Sequence, residues 1–302
     1  PNGYSVFVIY FPFMKLFTIN DRILFYHEYV TSVDTGIIYK PLKFDWQKAM
    51  RFLHMKLKLP FFSIWYSKEF RNFITKDVII IFDSVLTIQA ANYIKRKNPN
   101  ARVIYWFWNH IYIPSDLQYI NPTIEKWSYD YEDCEKYALK YNTQFYFKSL
   151  LQTPFDSKEI MDFFFVGADK GRKDKLIELE ELLKRYNLKY TFSITGSKRQ
   201  ESIKKWMPYD VVIDNILHSK CIVDIVPPEQ KGLTLRPLEA LFFQKKLLTN
   251  FVEIQESEFY NRNNIFIWGI DDETQIVDFV NSPYDETVNI YIDKYDFKNW
   301  LN

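Results

Sequence analysis

The residues with the most evident chemistry lie in one run, Val223 to Leu241. An apolar stretch leads into a loop holding Gly232, then into a helix whose first turn contains Arg236 and Pro237. Backbone N–H groups at a helix start lack partners and the dipole is positive there, so the position favours an anion. Arg236 can fork onto a phosphate. Glu239 follows three residues later on the same face and can accept hydroxyl hydrogen bonds of the kind a ribose offers. The same spacing suits an Arg236–Glu239 pair in an ordinary helix start equally well. Two other segments place small residues before basic ones: Gly167-Ala168-Asp169-Lys170-Gly171-Arg172 and Thr195-Gly196-Ser197-Lys198-Arg199. Their glycines allow close backbone approach, and Lys170 and Arg172 bring positive charge. Neither is GxGxxG or GxxxxGK[ST], and a surface turn with solvated basic residues accounts for either.

Metal and disulfide chemistry have no comparable pattern. Two cysteines, Cys134 and Cys221, exclude a disulfide scaffold and a cysteine-bound metal cluster, and point to a reducing compartment. The four histidines, His27, His54, His110 and His218, form no i,i+4 pair and no HExxH. No metal and no other cofactor is expected.

The elements that must position these residues alternate. Asp77–Phe82 reads as a buried strand, Leu86–Arg96 as a helix, Asn98-Pro99-Asn100 as a turn and Arg102–Trp108 as the next strand. Short strands are expected at Thr123–Asp130 and Phe145–Phe147, with a polar helix at Glu132–Tyr141. In the second half, strands are expected at Asp162–Gly167, Lys189–Gly196, Cys221–Val226, Lys246–Thr249 and Ile265–Trp268. The helix Asp174–Tyr186 puts Leu176, Leu179, Leu182 and Leu183 on one face. Shorter helices are expected at Asn215–Ser219 and from Pro237 to Phe243. Strands alternating with helices predict parallel, doubly wound sheets. Length gives a prior of two domains, and the weak pattern around Pro154 places their boundary near residue 155.

Three segments together resemble the GT-B glycosyltransferases, and among them the enzymes that build bacterial surface polysaccharides. GLTLRPLEALFFQKKLLTN (Gly232–Asn250) is similar to their donor-site signature. DFFFVGADKGRKDKLIELEELL (Asp162–Leu183) is similar to the strand that opens their donor domain. VIIIFDSVLTIQAANYIKRKNPNARVIYWFWNH (Val78–His110) resembles an acceptor-domain unit in which a strand ends near a His or Asn. The resemblance spans residues 77–250. It implies an α/β chain of two Rossmann-like domains facing a central cleft, residues 1–155 binding the acceptor and 156–302 the nucleotide sugar, UDP-linked in preference to GDP-linked. It implies that Glu239 holds the donor ribose. The backbone of Leu233 and Thr234, with Gly232 and Arg236, would hold the diphosphate, and Gly167, Lys170 and Arg172 would face it from the opposite loop, with Gly196 nearby. Asn109 or His110 would lie on the acceptor side. Positive groups and a helix N-terminus would then stabilise the leaving group without a metal. Lys231, not a glutamate, lies eight residues before Glu239, so the glutamate pair of many retaining members is broken. An inverting reaction would need a general base, with Asp83, His110 and Asp130 as candidates. Asp83 and Asp130 are also placed to cap helices at Val85 and Tyr131. A sugar-nucleotide epimerase or a non-catalytic binding subunit is compatible with the same fold.

Composition bounds the remainder. The chain has 302 residues, 47% hydrophobic and 25% charged, which excludes disorder. A net charge of +1 argues against a nucleic-acid binder. Residues 1–155 carry 19 Lys and Arg against 13 Asp and Glu, and the whole surplus precedes residue 77. There Arg51, Lys56, Lys58 and Arg71 intersperse with Phe61, Phe62, Trp65 and Tyr66, a mixture that suits an anionic membrane surface or a solvated helix face over a core. Ser5–Phe17 is apolar but short and has no cleavage site, so neither a signal peptide nor a membrane span is expected. A cytoplasmic protein, peripheral on the inner face of the membrane, is the corresponding location, and the aromatic surplus would also serve a homodimer interface.

Overall fold

The structure, a computed structural model, describes residues 14–18, 34–57, 59–72, 78–84, 86–111, 113–152, 159–195, 207–227 and 231–301. The chain divides into two compact units, Pro1–Thr143 with Leu301–Asn302, and Gln144–Trp300. Each is an α/β unit built on a parallel sheet.

In the first unit the described elements are β1 (Met14–Thr18), β2 (Asp34–Ile37), α1 (Asp45–Lys56), α2 (Lys68–Asn72), β3 (Val78–Phe82), α3 (Ile88–Lys97), β4 (Arg102–Phe107), β5 (Glu125–Ser128), α4 (Tyr131–Tyr137) and β6 (Lys140–Tyr141). The strands pair in the order β2-β1-β3-β4-β5-β6, every pair parallel. All five residues of β3 are buried, as are the last five of β4. Such runs follow when both faces of a sheet are covered. The strands β3, β4 and β5 fall where strands were expected; β1, β2 and β6 were not expected. The 125–128 strand is shorter than the 123–130 run, and the helix after it stops at Tyr137, where Ala138 takes a left-handed turn (φ 52) into β6.

The second unit contains β7 (Met161–Ala168), α5 (Lys173–Arg185), β8 (Tyr190–Thr195), α6 (Tyr209–Leu217), β9 (Ser219–Asp224), α7 (Leu235–Phe242), β10 (Lys246–Thr249), β11 (Ile265–Ile267), α8 (Ile276–Asn281) and α9 (Ile292–Tyr295). Its sheet runs β11-β10-β9-β7-β8, again parallel throughout. The order reverses between β7 and β9. In an open parallel sheet that reversal leaves a crevice beyond the carboxyl ends of the two strands, where ligands bind. Leu176, Leu179, Leu182 and Leu183 of α5 are all buried against it, as their spacing predicted.

Three expectations change. Helix α7 starts at Leu235 rather than Pro237, with Thr234 at its N-cap; Pro at the third position costs nothing, because that N–H has no helical acceptor. Helix α6 begins at Tyr209, just after Pro208, well before Asn215. Phe145–Phe147 is not a strand. It makes a single parallel bridge, in which Tyr146 N donates to Tyr295 O (2.8 Å) and Phe297 N to Tyr146 O (2.9 Å). What holds the segment is aromatic packing: Phe145 lies 4.7 Å from Phe297 and 4.9 Å from Trp300 between ring centroids, and Tyr146 lies 5.1 Å from Phe242. Residues 144–152 thereby belong with the chain's C-terminal segment rather than with the strands before them.

Trp300 is 3% exposed and closes this cluster. Trp300→Ala should cost about 3–5 kcal/mol, as for a large aromatic emptied from a core. Thermal denaturation should show the loss; an unchanged Tm would mean that the C-terminal segment contributes nothing to the unit.

Candidate functional site

The carboxyl ends of β7 and β9 bring together most of the residues singled out around a nucleotide. After β7 the chain turns through Lys170 (φ 44) and Gly171 (φ 79). Both take the left-handed conformation that glycine adopts freely and lysine rarely. The turn is closed by Arg172 N donating to Asp169 O (2.9 Å), while Asp169 Oδ1 accepts from Lys173 N (3.1 Å) at the start of α5. After β9 the chain reaches Gly232, Leu233 and Thr234, and α7 begins. Thr234 provides no side-chain cap to α7, so the first-turn N–H groups remain available to an anion.

Two guanidinium groups pack over Gly167. A Cβ there would lie 2.6 Å from Arg172 Nη2 and 2.7 Å from Arg236 Nη2, so the position has room for hydrogen only. Both groups also lie against one ring: Arg172 Cζ is 5.0 Å and Arg236 Cζ 5.1 Å from the Phe165 centroid, which offsets part of the cost of burying charge. Arg172 is 6% exposed, and it donates from Nε to Ala168 O (3.0 Å) and from Nη1 to Ile225 O (2.6 Å). It therefore ties the end of β7 to the chain leaving β9. Arg236 donates from Nη1 to Asp224 Oδ1 (3.3 Å) and from Nη2 to Val166 O. Asp224 is fully buried and takes its second bond from Thr234 Oγ1 (2.9 Å). The acid partner of Arg236 is thus Asp224, not Glu239.

Glu239 is 5% exposed. Its Oε1 accepts from Tyr209 OH (2.6 Å), whose oxygen lies 2.6 Å from Tyr146 OH. Burial raises the Glu239 pKa, against the lowering effects of Tyr209 and Arg236. Lys170 reaches solvent, but partial burial of its ammonium and then the charges of Arg172 and Arg236 lower its pKa. The result is a cluster of three cations, with Asp224 paired to Arg236 among the described residues. Gly196, with Ser197, Lys198 and Arg199, lies outside the described residues.

The first unit gathers its candidates at the carboxyl ends of β3, β4 and β5. Asp83 follows β3. It does not cap a helix: its Oδ1 accepts from Trp108 N (3.1 Å) at the end of β4. Burial pushes its pKa up to about 7, against the lowering effect of that bond. Asn109 and His110 come next, both half-buried. His110 Nδ1 lies 3.1 Å from Asp133 Oδ2 and 3.5 Å from Asp130 Oδ2. Asp130 caps α4 by accepting from Asp133 N (3.1 Å), and Ile111 N donates to Asp133 Oδ2 (2.9 Å). Burial raises the Asp133 pKa. His110, Asp130 and Asp133 offer ligand atoms within 4.8 Å of one another and could hold a metal ion. The carboxylates lie close to His110 Nδ1 without making a hydrogen bond to it.

Several members of these sites were not read from the sequence. Asp224 sits in the quoted run, and a carboxylate closing an apolar strand was a visible signal. Asp133 was visible only as part of a polar helix. Tyr209 and Tyr146 reach Glu239 from 30 and 93 residues away, and no spacing rule finds them.

The raised Asp83 pKa fixes a pH dependence. Its unfolded value is about 3.9 and its folded value about 7. The folded state therefore holds the proton longer, and stability is complete below about pH 4 and lost as pH rises towards 7. Asp83→Asn keeps an acceptor for Trp108 N and has no charge to bury. Its Tm relative to the parent should climb between about pH 4 and 7, by up to about 4 kcal/mol of stability. A difference constant over that range would contradict the assignment.

No protein-family model matches the chain, and no curated protein matches it. Solved structures similar to it include the apo form of the lipopolysaccharide outer core galactosyltransferase WaaB, at 11% identity and a TM-score of 0.44, covering 95% of this chain and 96% of that one. A glycosyltransferase involved in avilamycin A biosynthesis is similar at 10% identity and TM-score 0.47, over 95% and 93% of the two chains. HepE from Anabaena, in complex with UDP and glucose, is similar at 8% identity and TM-score 0.47, over 96% and 97%.

Proposed function

We propose that the chain is a glycosyltransferase that moves a sugar from a nucleoside-diphosphate sugar to a hydroxyl of a glycan or lipid-linked acceptor, in the synthesis of a bacterial surface polysaccharide. The observation that carries this reading is the cation cluster at the strand-order reversal between β7 and β9, where Lys170, Arg172 and Arg236 surround Gly167 beside the uncapped start of α7. A cluster of cations beside a helix start suits a diphosphate. Arg172 is committed to backbone carbonyls and contributes its field. Lys170, the remaining N–H groups of Arg236 and the α7 amides make the contacts. Glu239 Oε2, which takes no hydrogen bond among the described residues, accepts from the ribose. UDP is the expected nucleotide.

The acceptor oxygen attacks the anomeric carbon, and the bond from that carbon to the diphosphate oxygen breaks. The bonding pair leaves on the nucleoside diphosphate, whose developing charge meets these cations. A general base takes the proton of the acceptor hydroxyl, and His110, with Asp133 Oδ2 3.1 Å from its Nδ1, is the candidate for that role. Asp130 holds the start of α4 and with it Asp133.

Lys170→Ala tests the donor site without breaking a structural bond. UDP binding should weaken about tenfold, the scale of a charged hydrogen bond, with Tm unchanged. Because an anion favours the charged amine, wild-type affinity should be full below the lowered Lys170 pKa and fall as pH rises through it. Calorimetric titration from about pH 7 to about pH 10 reads this slope, and Lys170→Ala should lose it. Equal slopes in both proteins, or no binding of any nucleoside diphosphate, would remove the reading.

His110→Ala should lower turnover by about 10²–10⁴ while leaving UDP affinity intact. Turnover that survives EDTA supports the base. Turnover abolished by EDTA and restored by a divalent cation would assign His110, Asp130 and Asp133 to a metal instead.

A further inference from the structure

Helix α1 inverts the usual pattern of a surface helix. Its inward stripe is polar: Gln47, Arg51 and His54, with Met55 beside them. Arg51 is 9% exposed, lies 4.8 Å over the Tyr39 ring and reaches Lys40 O. His54 Nε2 lies 2.8 Å from Pro60 O, and its Nδ1 accepts from Trp65 Nε1 (3.2 Å). The polar stripe thus anchors the turn that follows. The outward stripe is apolar. Trp46, Met50, Leu53 and Leu57 recur at intervals of four, three and four, one face of a helix, and each is more than half exposed.

The surface continues beyond the helix. Phe44, Leu59 and Ile64 are exposed, and Phe61 is 78% exposed with φ 68. A bulky residue held left-handed stores strain, and here the strain sets an aromatic ring out in solvent. Patches of this kind mark an interaction surface. Charge selects the partner. Lys40, Lys43, Lys48 and Lys56 are exposed around the patch, against Asp45, which is paired with Lys48 at 3.0 Å. A second copy would set lysine against lysine. An anionic bilayer takes the apolar side chains at its acyl boundary and the ammonium groups at its headgroups.

We propose that α1, with Phe44, Leu59, Phe61 and Ile64, is a docking face that lies in the plane of an anionic lipid bilayer. The test is sedimentation of the whole chain with vesicles of phosphatidylglycerol and phosphatidylcholine, and with phosphatidylcholine alone. The parent should bind the mixed vesicles, less tightly in high salt, and bind the neutral ones at least tenfold more weakly. The double variant Trp46→Ser, Leu53→Ser should lose at least tenfold on mixed vesicles. Lys43→Glu with Lys48→Glu should abolish the preference for phosphatidylglycerol. All four side chains are exposed, so Tm and UDP affinity should stay at the parent's values, which separates this proposal from the donor site. Failure of the parent to bind mixed vesicles, or equal binding by the serine variant, overturns it. So does a parent that forms a dimer which the serine variant converts to monomer without any vesicle binding; the face would then be a contact between copies.

Discussion

The second unit is organised around the cost of holding guanidinium groups at the end of a buried strand. Arg172 and Arg236 stand over Gly167 and the face of Phe165. Taking such charges out of water is expensive unless each is paired and hydrogen-bonded. The fold meets that cost with the carbonyls of Val166, Ala168 and Ile225 and with the buried carboxylate of Asp224. These acceptors lie at the ends of β7 and β9, so the same bonds that make the charges tolerable also lock the two strand ends together. Glycine at position 167 gives the two guanidinium groups their room, since a Cβ there would press on both. Lys170 enters the same field, and among the described residues no carboxylate is paired with it.

The first unit has the complementary chemistry at the corresponding strand ends. Asp83, Asp130 and Asp133 are drawn in behind β3, β4 and β5, and burial raises the pKa of Asp83 and Asp133. They accept from the backbone N–H groups of Trp108 and Ile111, and the His110 ring lies 3.1 Å from Asp133. The first unit thus gathers carboxylates at its strand ends, where the second gathers cations.

The chain by itself determined the class of architecture. Runs such as Val78–Phe82 and Phe163–Phe165 are apolar at every position, and only strands covered on both faces use such runs, so a parallel α/β arrangement follows from composition and spacing alone. The leucines of α5 fixed its buried face in the same way. Gly167 and Lys170 were legible as candidates because they lie at the end of a strand, and Arg236 and Glu239 because they open the helix that the loop after a strand leads into; strand ends are where parallel sheets bind ligands. Local signals of this kind survive because they act over a few residues of contiguous chain.

What required the tertiary structure was every pairing that crosses between elements. Glu239 and Arg236 are neighbours on one helix and looked like partners. In the fold Arg236 turns to Asp224 on β9 and Glu239 to Tyr209 on α6, because each is drawn to the group that best satisfies it at its own depth of burial. Phe145–Phe147 looked like a strand and is instead the anchor of the C-terminal segment, since ring packing on Phe297 and Trp300 outweighs a local preference for extended pairing. The basic and aromatic mixture of residues 48–73 was compatible with a solvated helix face over a core and with a membrane surface. Only the burial of Gln47, Arg51 and His54 decided that the apolar face of α1 points to solvent. Sequence spacing specifies which residues share a face; the remainder of the fold decides which face is covered.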